Sequence, residues 1–217
     1  MEKRERGIAV NDMDPRVKRT RKLLQDAMMG LLREKSFQSV TVQDIAERAM
    51  LNRATFYAHF EDKYALADYM LRGMFREAVD VRLAPRAPFT VENLRVLVVT
   101  VLELLAHFSG QCDHTHQDLQ PIIEAKVQDE LRTYLLAWLR QALPADGARP
   151  LPRETVASVM SWAIFGTGIE WSRARGARST EEQADQLLEV LVGGVARAVK
   201  IPSGAAPART QAAAHVR

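Results

Sequence analysis

With 217 residues, 47% of them apolar, the chain is long enough for one small and one medium domain with a real core. A formal charge of only +3 excludes a general polyanion binder, and the solitary Cys112 excludes an intrachain disulfide, which suits a reducing cytoplasm. The charged N-terminus lacks an apolar core of signal-peptide length, and the greasiest stretch, Val96 to Ala106, is interrupted by Glu103. A cytoplasmic protein with no membrane span is therefore expected.

The polar segment Met1 to Asp14 reads as a mobile arm. Asp14-Pro15 then opens a first helix, since Pro is tolerated in the first turn. Leu23, Leu24, Ala27, Met28, Leu31 and Leu32 follow at helical spacing towards Phe37. Arg16, Lys18, Arg19, Arg21 and Lys22 crowd the start of this helix. Such a run is ordinarily a solvated helix face, but its place just upstream of the next segment also suits contact with a nucleic-acid backbone.

Thr41 to Phe60 is the most informative stretch. It reads as two short helices joined by a tight turn, a helix-turn-helix whose second member is shaped to enter a DNA major groove. Thr41 is a good N-cap, and Asp44 three positions on forms a capping box with a shortened acid. Ile45, Ala46 and Ala49 share one face, and Leu51 is placed to plug the corner. Asn52 caps the second helix, where backbone N–H groups suit a phosphate, while Phe56 and Phe60 turn inward. Arg53, Ala54, Thr55, Tyr57 and His59 remain on the outer face. Arg53 can donate to guanine or phosphate, Ala54 and the Thr55 methyl can touch thymine methyls, and Tyr57 and His59 can donate to phosphate. A purely structural helical hairpin is the plainer alternative.

These residues, with Lys63 and Leu66, resemble the DNA-binding signature of TetR-family transcriptional regulators: Thr-x-x-Asp-Ile-Ala, a small-residue turn, then Thr-x-Tyr-x-His-Phe and a Lys three residues later. With the preceding helix the resemblance runs from about Val17 to Ala78. It implies phosphate contacts for Thr41, Asn52, Tyr57, His59 and Lys63, and base-edge positions for Arg53, Ala54 and Thr55. Two departures stand out. Met50 replaces the usual turn Gly, where a positive φ would be strained, and Ala54 stands where Gly is frequent.

The remainder reads as helical throughout. A long helix begins after Glu61-Asp62, carries Leu66, Tyr69, Met70, Met74 and Phe75, and fades near Pro85 and Pro88. Further helices are expected at about 91–108, 121–143, 152–175 and 180–200, with a loop at 144–152 and a disordered Ala/Pro/Gly/Ser-rich tail from Pro202. The fold class is thus all-α: an arm (1–14), a three-helix DNA-binding domain (15–78), a C-terminal helical bundle (79–201) and a tail (202–217).

The last two helices carry Ser158, Ser161, Ala163, Gly166, Thr167 and Gly168 on one, and Leu187, Leu188, Leu191, Val192, Gly193, Gly194 and Val195 on the other. Those faces suit either intrachain core or a partner. The resemblance implies a homodimer through a four-helix bundle, matched to a near-palindromic double-stranded DNA operator. It also implies an unknown small-molecule effector in the C-terminal domain and, as a family tendency, repression, with an activator of the same fold as the alternative.

Candidate effector-pocket residues are Met70, Met74, Phe108, Trp138, Trp162, Phe165, Glu170 and Trp171, although aromatic and Met stripes at helical spacing are commonly core. Glu170, if buried, needs a partner such as a cationic ligand or Arg173; otherwise it faces water. Cys112, His114 and His116, with His107 and Asp118 nearby, form a weak metal candidate, because the alternate spacing matches no common zinc site and a polar loop explains it as well. No cofactor is called for. A metal-dependent enzyme finds its one foothold at that cluster, since the chain has no Gly-rich phosphate loop, Gly-x-Ser-x-Gly or His-Glu-x-x-His. A helical adaptor that binds protein is the third reading.

Overall fold

The computed structural model describes residues 14–111, 119–142, 152–174 and 178–193. All regular structure among them is helical, in the order α1 (Pro15–Leu32), α2 (Val42–Arg48), α3 (Arg53–His59), α4 (Lys63–Asp80), α5 (Val91–Gln111), α6 (Gln120–Ala142), α7 (Arg153–Arg173) and α8 (Thr180–Gly193). The expected arm up to residue 13, the Cys112 loop, residues 143–151 and the tail lie outside the described residues.

Local chemistry fixes where the early helices begin. Asp14 accepts from the Arg16 amide (2.8 Å), and Asp62 accepts from that of Ala65 (2.8 Å). α1 stops at Leu32 instead of reaching Phe37. Leaving the helix lets Phe37 and Val40 turn back into the core, each 1% exposed. The carbonyls this loop would otherwise orphan are taken by Lys63, whose Nζ donates to Phe37 O, Gln38 O and Val40 O at 2.8 Å each.

Two hydrophobic cores result. The first, here the head, joins Leu24 and Met28 of α1, Ile45 of α2, Phe56 of α3 and Leu66 of α4. The second, the body, joins Leu97, Val101 and Leu105 of α5, Leu131 and Leu135 of α6, Ile164 of α7, and Leu187 and Leu188 of α8. Helix α4 serves both: Leu66, Ala67 and Met70 face the head, while Leu71, Phe75 and Val79 face the body. Leu119 and Ile122, at the start of α6, pack against both cores.

In the body, α7 packs on α5 and α6, and α8 covers α5. The α5–α7 contact is close because position 168 is Gly. A Cβ there would lie 2.8 Å from Leu105 Cδ1 and 3.1 Å from Leu102 Cδ2. Fully buried leucines such as Leu97, Leu102, Leu131 and Leu135 contribute about 1.5–3 kcal/mol each by leaving water.

Polar side chains tie α4 to α6 as well. Glu130, with 8% of its side chain exposed, lies 3.1 Å from Arg72 Nε and 3.3 Å from Lys126 Nζ, and Lys126 lies 2.6 Å from Asp68 of α4. A carboxylate this buried is tolerated because cations approach it from both helices.

Candidate nucleic-acid interface and effector cavity

The helix-turn-helix is held by caps at each joint. The Thr41 hydroxyl accepts from the Asp44 amide (3.1 Å), while Asp44 Oδ2 accepts from the Thr41 amide (2.7 Å), completing the expected capping box. The same Oδ2 takes Lys35 Nζ and the Thr41 hydroxyl, both at 2.7 Å. Hydrogen bonds from Lys35 and then Thr41 lower the Asp44 pKa to about 2.

Helix α2 ends in a Schellman turn: Leu51 N–H donates to Ala46 O (2.9 Å) and Met50 N–H to Glu47 O (3.0 Å). Met50 occupies the left-handed position at φ 55° and is 91% exposed, so a residue with a Cβ stands where the turn favours Gly. Beyond half-buried Leu51, Asn52 Oδ1 accepts from the Thr55 amide (2.6 Å) and hydroxyl (2.9 Å), starting α3.

The two faces of α3 are cleanly divided. Phe56 is 0% and Phe60 7% exposed, packed with each other and, through Phe60, with Tyr69. Arg53, Ala54, Tyr57 and Ala58 are exposed, with Thr55 half-buried beside them. The Arg53 guanidinium lies 5.9 Å from the Tyr57 ring centroid, so the two form one flat polar-aromatic patch.

Two of the expected phosphate contacts sit differently. His59 is half-buried, its Nδ1 has no hydrogen-bond partner, and burial followed by the charge of Arg21 pushes its pKa down. At neutral pH it therefore offers a neutral donor and not a cation. Lys63 has its ammonium engaged by three loop carbonyls and 4.8 Å from the Phe37 ring centroid, which pins the α1–α2 loop. In the basic run, Arg16, Lys18, Arg19 and Lys22 are exposed, whereas Arg21 folds over Phe60 and Tyr69.

The candidate effector residues divide into two groups. Met70, Met74 and Phe108 line one cavity of about 410 Å³. Its other walls, Met28, Met29, Leu32 and Arg33 from α1 and Leu119 and Ile123 from α6, escaped the sequence reading. Their spacing marks α1 and α6 as amphipathic but does not say which helices meet. The five remaining candidates do not line this cavity. Trp138 is core, its Nε1–H donating to Ala87 O (2.6 Å) and its ring set against Phe89. Phe165 is buried in the body core, Trp162 is 61% exposed, and Trp171 donates to Arg178 O (3.1 Å).

Glu170 is exposed, and Arg173 pairs instead with Glu124 of α6 (2.9 Å), which leaves the water-facing alternative for Glu170. Cys112, His114 and His116 fall outside the described residues, and His107 borders the cavity. Among the described residues no group of three His, Cys, Asp or Glu side chains could hold a metal ion, and no helix is long and apolar enough to cross a membrane.

A family model described as bacterial regulatory proteins, tetR family, matches residues 24–70, the stretch from within α1 to within α4. The HTH-type transcriptional regulator YxbF of Bacillus subtilis is 31% identical over 98 residues, 44% of this chain and 26% of that protein, so the chain spans about a quarter of this relative. The HTH-type transcriptional repressor KstR2 of Mycobacterium tuberculosis is 22% identical over 189 residues, 80% of this chain and 92% of that one. FadR of Thermus thermophilus, a TetR-family transcriptional repressor solved with lauroyl-CoA, shares the fold at TM-score 0.55 and 21% identity, covering 86% of this chain and 98% of that chain. A TetR-family regulator from Syntrophomonas wolfei does so at TM-score 0.54 and 15% identity, covering 82% and 97%. The capped helix-turn-helix at residues 24–70 is thus a match to the DNA-binding region of bacterial regulatory proteins of the tetR family, carried on an all-helical body.

Proposed function

We propose that this protein is a cytoplasmic, non-enzymatic repressor that grips a near-palindromic operator as a homodimer and releases it when an effector binds. The observation that carries the reading is the outer face of α3: Arg53, Ala54, Thr55 and Tyr57 project from a helix fixed by Asn52 in front and by Phe56 and Phe60 behind. Arg53, Ala54 and Thr55 take base edges, while Thr41, Asn52, Tyr57 and neutral His59 position the phosphates. The head (15–78) reads DNA, and the body (79–201) pairs and senses.

A helix of seven residues reads few base pairs, so two copies about 34–36 Å apart are needed for a useful site. Val159 and Trp162 of α7, each 61% exposed, and Val192 of α8, 58% exposed, supply apolar surface for a second copy. Gly166, one turn beyond Trp162, has nothing within 4 Å of its Cβ position and permits close approach. Repression and effector release are supported by the names of KstR2 and FadR and by the cavity against α4.

Selection from a random duplex pool tests this reading. The expected product is a motif with two inverted half-sites, bound by a species that sediments as a dimer at micromolar concentration. Failure to enrich any duplex at low ionic strength overturns the regulator reading.

A further inference from the structure

The cavity of about 410 Å³ does not lie inside the body. It occupies the seam between the two cores, with α1 of the head on one side, the ends of α5 and α6 on the other, and α4 along it. Ten of its twelve lining residues are apolar; the two polar ones, Arg33 and His107, are both exposed. Four of the chain's eight methionines meet there: Met28 and Met29 from α1, Met70 and Met74 from α4. Thioether side chains are flexible and polarisable and repack readily around a chain of variable length.

We propose that this seam is a binding site for a single-chain amphipathic anion, a fatty-acid-like carboxylate, whose apolar body lies among the four methionines and whose charge meets Arg33. The volume is at the lower end for small-molecule sites, so one alkyl chain fits and a nucleotide carrier stays outside. The polar end is selected by charge. Arg33 caps α1, the neighbouring Glu34 carboxylate is held by Arg48 at 2.6 Å, and Arg33 pairs with no carboxylate among the described residues. An anionic headgroup supplies that partner, and a guanidinium binds a carboxylate through two parallel hydrogen bonds. A cationic or neutral chain lacks this contact.

The regulatory consequence rests on the repressor reading above. Because α1 is part of the head, an occupant presses on the DNA-reading unit itself and not solely on the body. Ala67 and Met70 belong to the head core and Leu71 to the body core, so a chain lodged beside them sets the angle between the two. A ligand that prefers one angle shifts operator affinity by the same factor that the operator shifts ligand affinity.

The experiment uses the full chain labelled with methyl-13C methionine and titrated with dodecanoate. The expected result is that Met28, Met29, Met70 and Met74 shift together, while exposed Met50 and Met160 of α7 stay in place. Arg33→Glu should weaken dodecanoate binding about tenfold or more and leave dodecanol binding unchanged. Lauroyl-CoA distinguishes a free acid from a carried one: if the same four methyls move with the thioester and not with the acid, the free-carboxylate assignment falls.

No methyl shift up to the solubility limit, shifts confined to Met160, or an equal loss of dodecanol binding in Arg33→Glu would each overturn the site. The two readings fail separately. Shifts at the four methyls in a protein that selects no duplex leave the site standing and remove the repressor. A selected operator with unmoved methyls does the reverse.

Discussion

The head and the body are both helical, yet they are specified in opposite ways. The head sets two short helices, α2 and α3 at seven residues each, among longer ones; they would be marginal alone and are held by side-chain caps at Thr41, Asp44 and Asn52. The body consists mainly of helices of 21 to 23 residues whose positions are set by which apolar faces meet, as where Gly168 admits Leu102 and Leu105. Capping is local and orients a few side chains tightly; face-to-face packing is distributed and tolerates change. A DNA reader needs the first and an effector-responsive body the second, and α4 joins the two within one helix.

The sharpest way to break the contrast is to remove the aromatic wedge behind α3. Phe56→Ala should cost about 3–5 kcal/mol, because a ring that is 0% exposed leaves a cavity in a small core. Hydrogen exchange should then show α2 and α3 opening while α5 and α6 stay protected. Equal loss of protection in head and body would show that the two cores are one cooperative unit.

Next in size is the polar tie between α4 and α6. Glu130→Ala removes the buried carboxylate between Lys126 and Arg72 and leaves both cations with Asp68 at the rim. Roughly 2–4 kcal/mol should be lost, less than for a fully dry pair because Arg72 is about 43% exposed. Denaturant unfolding measures it, and a change near zero would mean that the pairs are solvent-screened.

Smaller effects should fall on the caps. Asp44→Ala should cost about 1 kcal/mol through the lost capping box. The sign of its pH dependence follows from the lowered pKa. The unfolded carboxyl, near 3.8, binds a proton before the folded one, near 2, so its contribution is complete above pH 4 and disappears as pH falls through about 2. Thermal melts of wild type and Asp44→Ala should converge as the medium is acidified. Met50→Gly should instead stabilise the head by about 1 kcal/mol, by relieving a left-handed residue whose side chain touches solvent. A lower melting temperature for that variant would show that the Met50 side chain has packing value the turn conceals.

The same contrast explains what could be read in advance. Thr41 with Asp44, Asn52, and the Phe56–Phe60 pair are local patterns, and each occupies the place its spacing predicts. Met50 at positive φ was likewise legible from the turn. What escaped depends on contacts between distant segments. Lys63 resembles a phosphate ligand in the signature, yet carbonyls some 23 to 26 residues earlier claim its ammonium. Helix α1 has the periodicity to run on to Phe37, but the ring is worth more inside the head core than on a further turn. Trp138 and Phe165 look like pocket aromatics until Ala87, Phe89 and the α5–α7 packing enclose them. Met28 reads as an ordinary helix-face residue, because no local feature of α1 says that the end of α5 and the start of α6 lie opposite.

The measurement closest to the central claim compares operator affinity and selected motif for wild type and Arg53→Ala on the same duplex pool. If the outer face of α3 reads the major groove, Arg53→Ala should lose about 1–3 kcal/mol and relax the preference at one position in each half-site, with the fold intact. An unchanged motif and affinity in a triple variant lacking the Arg53, Thr55 and Tyr57 side chains would contradict the account.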